Sequence, residues 1–314
     1  NEYLIRVRSE KKMQYDRTIE NTFELDLPRN VNINIEILGG DIDLADLQGE
    51  SILNTMGGDV VITSFLGRIE SKTSGGNMTV TDTEGFIRVH SSGGNISISN
   101  SQGEFNSSTE GGSIHFSDLN GSIDAQTNGG SIELEHITGD KISCRTSGGN
   151  IQAEVISAKV TLKTSGGGIN LNNIEGDIDL NTSGGNIDAV SCRGSLKCNT
   201  SAGNITLDEI IGTVDSFTSA GNISLDLTYD SSMKDYSFNM ETNAGDLIVH
   251  IPKGLPVGIE STIYGTGSSK ELNSEIPLKI TSKGSTVKGT GTIKGGTIPL
   301  LLKAHYGSIT IKQN

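Results

Sequence analysis

A pair of small residues recurs about every 18 residues, and this period constrains the fold more than any other feature of the chain. Nine pairs run from Gly39-Gly40 to Gly184-Gly185, and Ala202-Gly203 and Ala220-Gly221 continue the series. Of the ten successive spacings, nine are 18 residues and one is 19. A further glycine follows most pairs by nine residues, so each repeat has two halves. A fixed period of this size indicates a solenoid, whose units bury their apolar side chains only by stacking.

Within each repeat, apolar and polar residues alternate. Ile96 and Ile98 flank Ser97, and the equivalent positions of the other repeats are also apolar at the two outer sites. The second half alternates in the same way but with smaller side chains, as at Ile87 and Val89. A period of two is typical of half-buried strands and not of helices. The sequence therefore predicts an all-β, single-stranded parallel β-helix, or β-solenoid, with 18-residue coils stacked about 4.8 Å apart.

The regular part of the chain ends at both sides in segments of different composition. All five prolines and all six tyrosines lie outside residues 41–225, and proline is excluded from strands that pair on both edges. We predict an N-terminal β cap over residues 1–40, a solenoid over 41–245 and a C-terminal β cap over 246–314. In the first cap, we expect strands at Tyr3–Arg8, Phe23–Leu27 and Val31–Leu38.

The C-terminal cap is predicted to be irregular. The distance from Gly221 to Gly245 is 24 residues, and the excess fits a polar turn at Asp230–Asp235. Hairpins are expected as far as Thr297, and Ala304–Ile311 resembles one more coil packed on the last one. The single spacing of 19 predicts a β-bulge near Asp140 and Lys141.

Charge and hydropathy argue against nucleic-acid binding and against a membrane-spanning segment. The chain carries 38 acidic and 24 basic residues, a formal charge of −14, which repels phosphate backbones and disfavours nucleic acid. Its longest apolar stretches are four or five residues, so we expect no transmembrane segment.

Two polar columns follow the period. A Thr or Ser stands three residues before the second residue of each pair, as at Thr73 and Thr109; we interpret it as strand-end packing partly inside the coil, and an ice-binding face is the alternative. An Asn, Asp or Ser usually follows the pair, as at Asn95, where it suits a turn and tolerates left-handed geometry. Calcium-binding β-rolls are the alternative, but they require Gly and Asp where this chain has Ile. We predict no metal and no cofactor.

Catalytic groups do not converge in the repeat pattern. Cys144, Cys192 and Cys198 lie in apolar columns and are expected to be core residues. Cys144 and Cys198 are three coils apart, too far for a disulfide, whereas a Cys192–Cys198 bridge stays open. The five histidines share no column. Outward carboxylate pairs such as Asp177 and Asp179 resemble those that parallel β-helix enzymes use, which keeps an enzyme as an alternative.

Aromatic side chains that could stack on a sugar are confined to the C-terminal part. The solenoid repeats contain no Trp or Tyr, and such residues usually line sugar-binding surfaces. The best candidates for glycan contacts are therefore Tyr229, Tyr236 and Tyr264.

The recurrent Thr-Ser-Gly-Gly-Asn-Ile resembles the signature of the bacterial adhesin-like toast-rack family. It is complete at 146–151 and 182–187 and nearly so at 73–78, and the likeness extends over about residues 30–314. Auto-transporter adhesin head domains are broadly similar. The resemblance implies an extracytoplasmic β-solenoid whose signal peptide has been removed, and it transfers no catalytic residue.

The expected function is a non-catalytic adhesive or structural protein at the cell surface, in the periplasm or outside the cell. Its partner would be a surface ligand, either a glycan or a protein. The alternative is a carbohydrate-active β-helix enzyme, a polysaccharide lyase or hydrolase.

Overall fold

The fold is all-β and consists of 21 strands in one continuous sheet wound into a solenoid. The structure, a computed structural model, describes residues 24–265, 268 and 271–314, and no α-helix occurs among them. The strands are β1 (Ile33–Ile37), β2 (Ile42–Thr55), β3 (Val60–Thr73), β4 (Met78–Thr81), β5 (Glu84–Ser91), β6 (Ile96–Thr109), β7 (Ile114–Thr127), β8 (Ile132–Arg145), β9 (Ile151–Lys163), β10 (Ile169–Asn181), β11 (Ile187–Thr200), β12 (Ile205–Thr218), β13 (Ile223–Leu227), β14 (Phe238–Thr242), β15 (Leu247–Ile251), β16 (Val257–Tyr264), β17 (Leu272–Ser274), β18 (Lys279–Lys283), β19 (Thr286–Thr292), β20 (Ile298–His305) and β21 (Ile309–Gln313).

Each full coil is one strand that bends midway. In β6, Asn100 has a φ of 49° and Gly103 a φ of 139°, and these two residues turn the strand from one side of the coil to the other. We call the outward side chains before this bend the first face and those after it the second face. The bend is left-handed, a geometry that Asn and Asp tolerate better than most residues. The sequence suggests left-handed geometry in the column that directly follows each small-residue pair, as at Asn95. The left-handed residues instead lie five positions later, as at Asn100.

Successive coils stack in parallel and in register. Ile96 pairs with Ile114 and Ile114 with Ile132, and the exposed fraction of each of the three side chains is at most 1%. The predicted β-solenoid with 18-residue coils is therefore confirmed. Its core is one continuous cluster of stacked aliphatic side chains with a few Phe residues, because every coil places like residues above like.

The predicted bulge lies at the one irregular spacing. The pairing of β8 with β9 shifts between Thr138 and Lys141. Two residues of β8, Gly139 and Asp140, therefore lie opposite one residue of β9, Ala158. In neighbouring coils the position equivalent to Ala158 is a glycine, as at Gly176. A Cβ built on that glycine would lie about 2 Å from a carbonyl oxygen of the preceding coil. The extra residue alters the backbone opposite Ala158, which explains how this coil accommodates a Cβ.

At the N-terminal end, β1 pairs in parallel with the second half of β2, with Ile33 opposite Ser51. The strand expected at Val31–Leu38 is therefore present over five residues. The strand expected at Tyr3–Arg8 lies outside the described residues, as does Phe23. Residues 24–27 form no strand.

At the C-terminal end, the coils do not follow the order of the chain. The last strands, β20 and β21, pair with β14 and β15 on one side, and β20 pairs with β16 and β21 with β17 on the other. The expected extra coil is present and packs on the coil before it. However, it is not the outermost layer, because β16 and β17 precede it in the sequence and stack beyond it. Strands β19 and β18 then continue from β16 as an antiparallel hairpin.

Candidate functional site

Two of the three candidate tyrosines lie together beside the loop that lengthens the coil after Gly221. The ring centroids of Tyr229 and Tyr236 are 5.9 Å apart. Tyr236 is 8% exposed; its hydroxyl accepts a hydrogen bond from the Asp230 N–H at 2.9 Å and donates one to the Asp230 carbonyl oxygen at 3.1 Å. Tyr229 is 41% exposed and is the ring of this pair that a ligand can reach.

The same loop is held by a charged residue from the solenoid. The Arg193 guanidinium donates to the Asp230 carboxylate at 2.6 Å and to the Ser232 hydroxyl at 3.2 Å. The Ser232 N–H donates to the other carboxylate oxygen at 2.8 Å. The pKa of Asp230 is lowered to about 2, first by the Ser232 N–H and then by Arg193, because both stabilise the ionised form.

Tyr264 does not belong to this cluster. Its ring stacks on His305 with a centroid distance of 4.6 Å at the end of β16, whereas Tyr229 lies near Gly254, before that strand begins. Seven residues of extended strand span roughly 23 Å. The structure therefore brings Tyr229 and Tyr236 together and places Tyr264 elsewhere. Tyr306, which is 78% exposed, was not singled out from the sequence.

A second candidate site lies in the solenoid, where hydroxyl groups replace apolar core residues. One inward column contains Leu47, Phe65, Leu119 and Ile137, but two adjacent coils carry Thr83 and Ser101 at this position. Both are at most 5% exposed. The Ser101 oxygen accepts hydrogen bonds from the Thr83 hydroxyl at 2.9 Å and the Thr83 N–H at 3.0 Å. The Ser101 hydroxyl donates to the Ser99 carbonyl oxygen at 2.7 Å.

The two hydroxyl residues Thr83 and Ser101 lie beside a break in the strand and beneath a surface groove. The strand is interrupted between β4 and β5 at residues 82–83, and a groove of about 660 Å³ lies outside. Burying a large apolar side chain contributes about 1.5–3 kcal/mol, part of which each hydroxyl residue forfeits. Such departures from an otherwise regular pattern are expected at functional sites.

The groove presents carboxylate and amide groups on both sides of the bend, and it is open to solvent. Its polar lining includes Asp82, Glu84, Asn100, Gln102, Asp118 and Asn120. Asp118 also lies 3.6 Å from the His136 ring. Amides both donate and accept hydrogen bonds, and carboxylates accept them, so the lining suits a ligand rich in hydroxyl groups. The sequence signal was available, because Thr83 and Ser101 stand out in their column.

The hydroxyl column is used inside the protein. The Thr73 hydroxyl donates to the Gly58 carbonyl oxygen at 2.9 Å and accepts from the Gly76 N–H at 3.2 Å. The same pattern recurs at Thr109 and Thr127, and these side chains are buried. They close the turn of each coil and present no outward face for ice.

The Asn and Asp column joins neighbouring coils. The Asn77 side-chain oxygen accepts a hydrogen bond from the Asn95 N–H at 2.9 Å, and Asn95 repeats this contact with the Ser113 N–H at 2.8 Å. Each side chain thus bonds to the main chain of the next coil and not locally. The oxygens that a calcium ion would require here already accept main-chain hydrogen bonds. Among the described residues, no group of three or more His, Cys, Asp or Glu could hold a metal ion.

All three cysteines are buried free thiols, so the bridge between Cys192 and Cys198 is not formed. Burial raises the pKa of Cys192 to about 11 and also raises the pKa values of Cys144 and Cys198. Thiols of this kind stay protonated and unreactive at neutral pH.

Comparisons with known proteins give a family but no individual relative. A sequence profile described as Toastrack DUF4097 matches residues 63–209 and 121–282. No curated protein matches the chain, and no solved structure matches it. In the part of the chain that the structure describes, no helix is long and apolar enough to cross a membrane. The two profile matches together cover more than two thirds of the sequence, and the stacked coils agree with them: the chain belongs to the Toastrack DUF4097 family.

Proposed function

We propose that this protein is a non-catalytic, extracytoplasmic β-solenoid whose outer surface binds a glycan or a protein at the cell envelope, as an adhesin or a structural component. Three features support the proposal: the stacked coils, the polar groove and the exposed tyrosine beside the loop. The resemblance of the Thr-Ser-Gly-Gly-Asn-Ile repeats to adhesin-like proteins supports the location.

The observation that carries the proposal is the strict register of the coils. Because like positions stack, the outward side chains form straight columns with a spacing of about 4.8 Å, over roughly 48 Å from Gly40 to Gly221. Every coil is hydrogen-bonded to both neighbours, so the surface is ordered before a ligand arrives. A preorganised surface loses less conformational entropy on binding than a flexible one, which favours recognition of an extended polymer.

Binding can be tested with the full chain on an array of bacterial surface glycans. We expect a retained glycan without cleavage, and we expect Gln102→Ala with Asn120→Ala to weaken retention. Gln126→Ala with Asn106→Ala, on the second face away from the groove, is the matched control and should bind as the unchanged protein does. If both double variants bind equally well, the groove is not the contact surface. If no glycan or envelope protein is retained, the proposed function is wrong.

The location has its own test. Protease added to intact cells should degrade the protein if it is exposed at the surface, and osmotic release should free it if it is periplasmic. Recovery only after complete lysis would contradict an extracytoplasmic location.

A carbohydrate-active enzyme is the second candidate, and the carboxylates of the groove favour it. Asp82 and Asp118 occupy one column two coils apart, which corresponds to about 10 Å along the axis. Inverting glycosidases place their two carboxyl groups about 6.5–9.5 Å apart, and the spacing here is near that range. Turnover of a polysaccharide that Asp82→Asn or Asp118→Asn abolishes would establish the enzyme, and binding without turnover would favour the adhesive protein.

A further inference from the structure

The charge of the solenoid is divided unequally between its two faces. The six residues that follow each small-residue pair, from 41–46 to 222–227, contain 13 Asp or Glu and no Lys or Arg. None of these acidic residues is buried. We call the outward side chains of these eleven segments, which form the first face, the acidic face. All nine Lys and Arg of residues 41–225 lie outside these segments; Arg193 lies within the bend of its coil and the other eight follow the bend.

The acidic face has no strong cation to neutralise it. Its ion pairs in the described residues are made with histidines alone, such as Glu133 with His115 at 3.3 Å and Asp226 with His250 at 3.5 Å. Carboxylates also stand side by side in adjacent coils, as at Glu135 and Glu154. Like charges in register destabilise a sheet, so an unpaired negative surface of this extent is suited to a positively charged partner.

A complementary surface lies at the C-terminal end of the same chain. Residues 276–314 contain six lysines and no Asp or Glu. All five residues of β18 are exposed, and Lys279, Lys283 and Lys288 make no ion pair among the described residues. We call the hairpin of β18 and β19 the lysine hairpin.

The lysine hairpin and the acidic face of one molecule are separated by the core. Through β16 and β20, the hairpin continues the sheet that contains β14 and the second half of β12. The acidic face belongs to the other half of each coil, so the buried core lies between the two surfaces. Because the coils are rigidly paired, the two surfaces of one chain cannot close on each other.

We propose that the lysine hairpin of one molecule docks on the acidic face of a second copy. The inference goes beyond surface adhesion, since it concerns how copies of the protein associate. The two contacting surfaces differ, and contacts of this type build open chains of molecules unless the rotation closes a ring. The association is driven by charge, so it weakens as salt screens it.

Sedimentation velocity of the full chain tests this proposal at two ionic strengths. We expect a mass above the 33.0 kDa monomer at about 0.01 M salt, where the Debye length is about 30 Å, and the monomer at about 1 M, where it is about 3 Å. Lys279→Glu with Lys283→Glu should remain monomeric at both. Lys159→Glu with Lys163→Glu is the matched control, because it makes the same charge change at the same spacing on the second face, and it should associate as the unchanged protein does.

A second, independent test exchanges the charges of the acidic face and the lysine hairpin. Glu135→Lys with Glu154→Lys on the acidic face should also be monomeric alone, and mixing it with Lys279→Glu/Lys283→Glu should restore the complex. A monomer at every salt concentration, or equal loss in the Lys159/Lys163 control, overturns the proposal. Binding of monomers to phosphatidylglycerol vesicles that Lys279→Glu/Lys283→Glu abolishes would assign the hairpin to anionic lipid and overturn it as well.

Discussion

Two adjacent glycines should respond very differently to the same added methyl group. A Cβ on Gly94 would lie 1.9 Å from the Gly76 carbonyl oxygen, whereas a Cβ on Gly93 would meet nothing closer than 3.6 Å. The sequence already contains alanine at the first position of a pair, in Ala202 and Ala220, and never at the second in these repeats. We therefore predict that Gly94→Ala is strongly destabilising and that Gly93→Ala is tolerated.

The magnitude follows from the hydrogen bonds at this corner. Carbon and oxygen atoms approach to about 3.3 Å, so the coils must separate locally by more than 1 Å. Three bonds would then exceed hydrogen-bond length: Gly93 N–H to Ser74 O at 3.0 Å, Met78 N–H to Asn95 O at 2.8 Å and Asn95 N–H to Asn77 Oδ1 at 2.9 Å. At about 0.5–1.5 kcal/mol each, their loss lowers the free energy of unfolding by roughly 1.5–4.5 kcal/mol. Gly93→Ala should change it by about 0.5 kcal/mol or less.

Urea unfolding followed by far-UV circular dichroism measures the difference, with Gly93→Ala as the matched control. Hydrogen exchange should also show that the loss of protection in Gly94→Ala is greatest in β4, β5 and β6. Equal stability of the two variants would refute the reasoning, because it would mean that the coils do not approach each other at the second glycine.

Three further predictions concern irregular parts of the fold. Deleting Asp140 should lower the free energy of unfolding, because it brings the Cβ of Ala158 against the backbone of the preceding coil. In urea melts, adding Ala158→Gly to the deletion should restore most of the lost stability. If the effects of the two changes are simply additive, the bulge and Ala158 are not coupled. Removing residues 298–314 should unfold the C-terminal hairpins as well as shorten the chain, because β20 lies between β14 and β16; native proteolysis patterns identical to those of the full chain would contradict it. The pKa of Asp230 is lowered in the folded state, so its ionised form contributes stability above pH about 4 that is lost as the pH falls from about 4 towards 2. The near-ultraviolet dichroism of the adjacent tyrosines should report this loss, and Asp230→Asn should remove the pH dependence.

The regular part of the fold could be predicted because its determinants are local. The alternation around Ile96 and Ile98 specifies a strand, and the 18-residue period specifies stacking. The bulge at Asp140 could be predicted for the same reason, since one extra residue cannot be distributed along a paired strand.

The order of the C-terminal coils could not be predicted in this way. Residues 304–311 have the pattern of a coil, but the pattern does not specify which edges the strand joins. That choice depends on β16 and its hairpin, which stack beyond the final coil through long-range pairing. The polar groove could have been found from Thr83 and Ser101, because hydroxyl residues in an apolar column are visible without coordinates. The separation of Tyr264 from Tyr229 depends on how the cap folds back, which composition does not reveal.

The stacking of coils in register is tested most directly by distances between spin labels in one outward column. Thr79 can be paired in turn with Asn170, Asp188 and Thr206, which lie five, six and seven coils away. The native thiols are buried with raised pKa values, so introduced cysteines should label selectively. Stacked coils predict distances of roughly 24, 29 and 34 Å, an increase of about 4.8 Å per coil. Distances that do not grow by this step would contradict the solenoid and the proposals built on its faces.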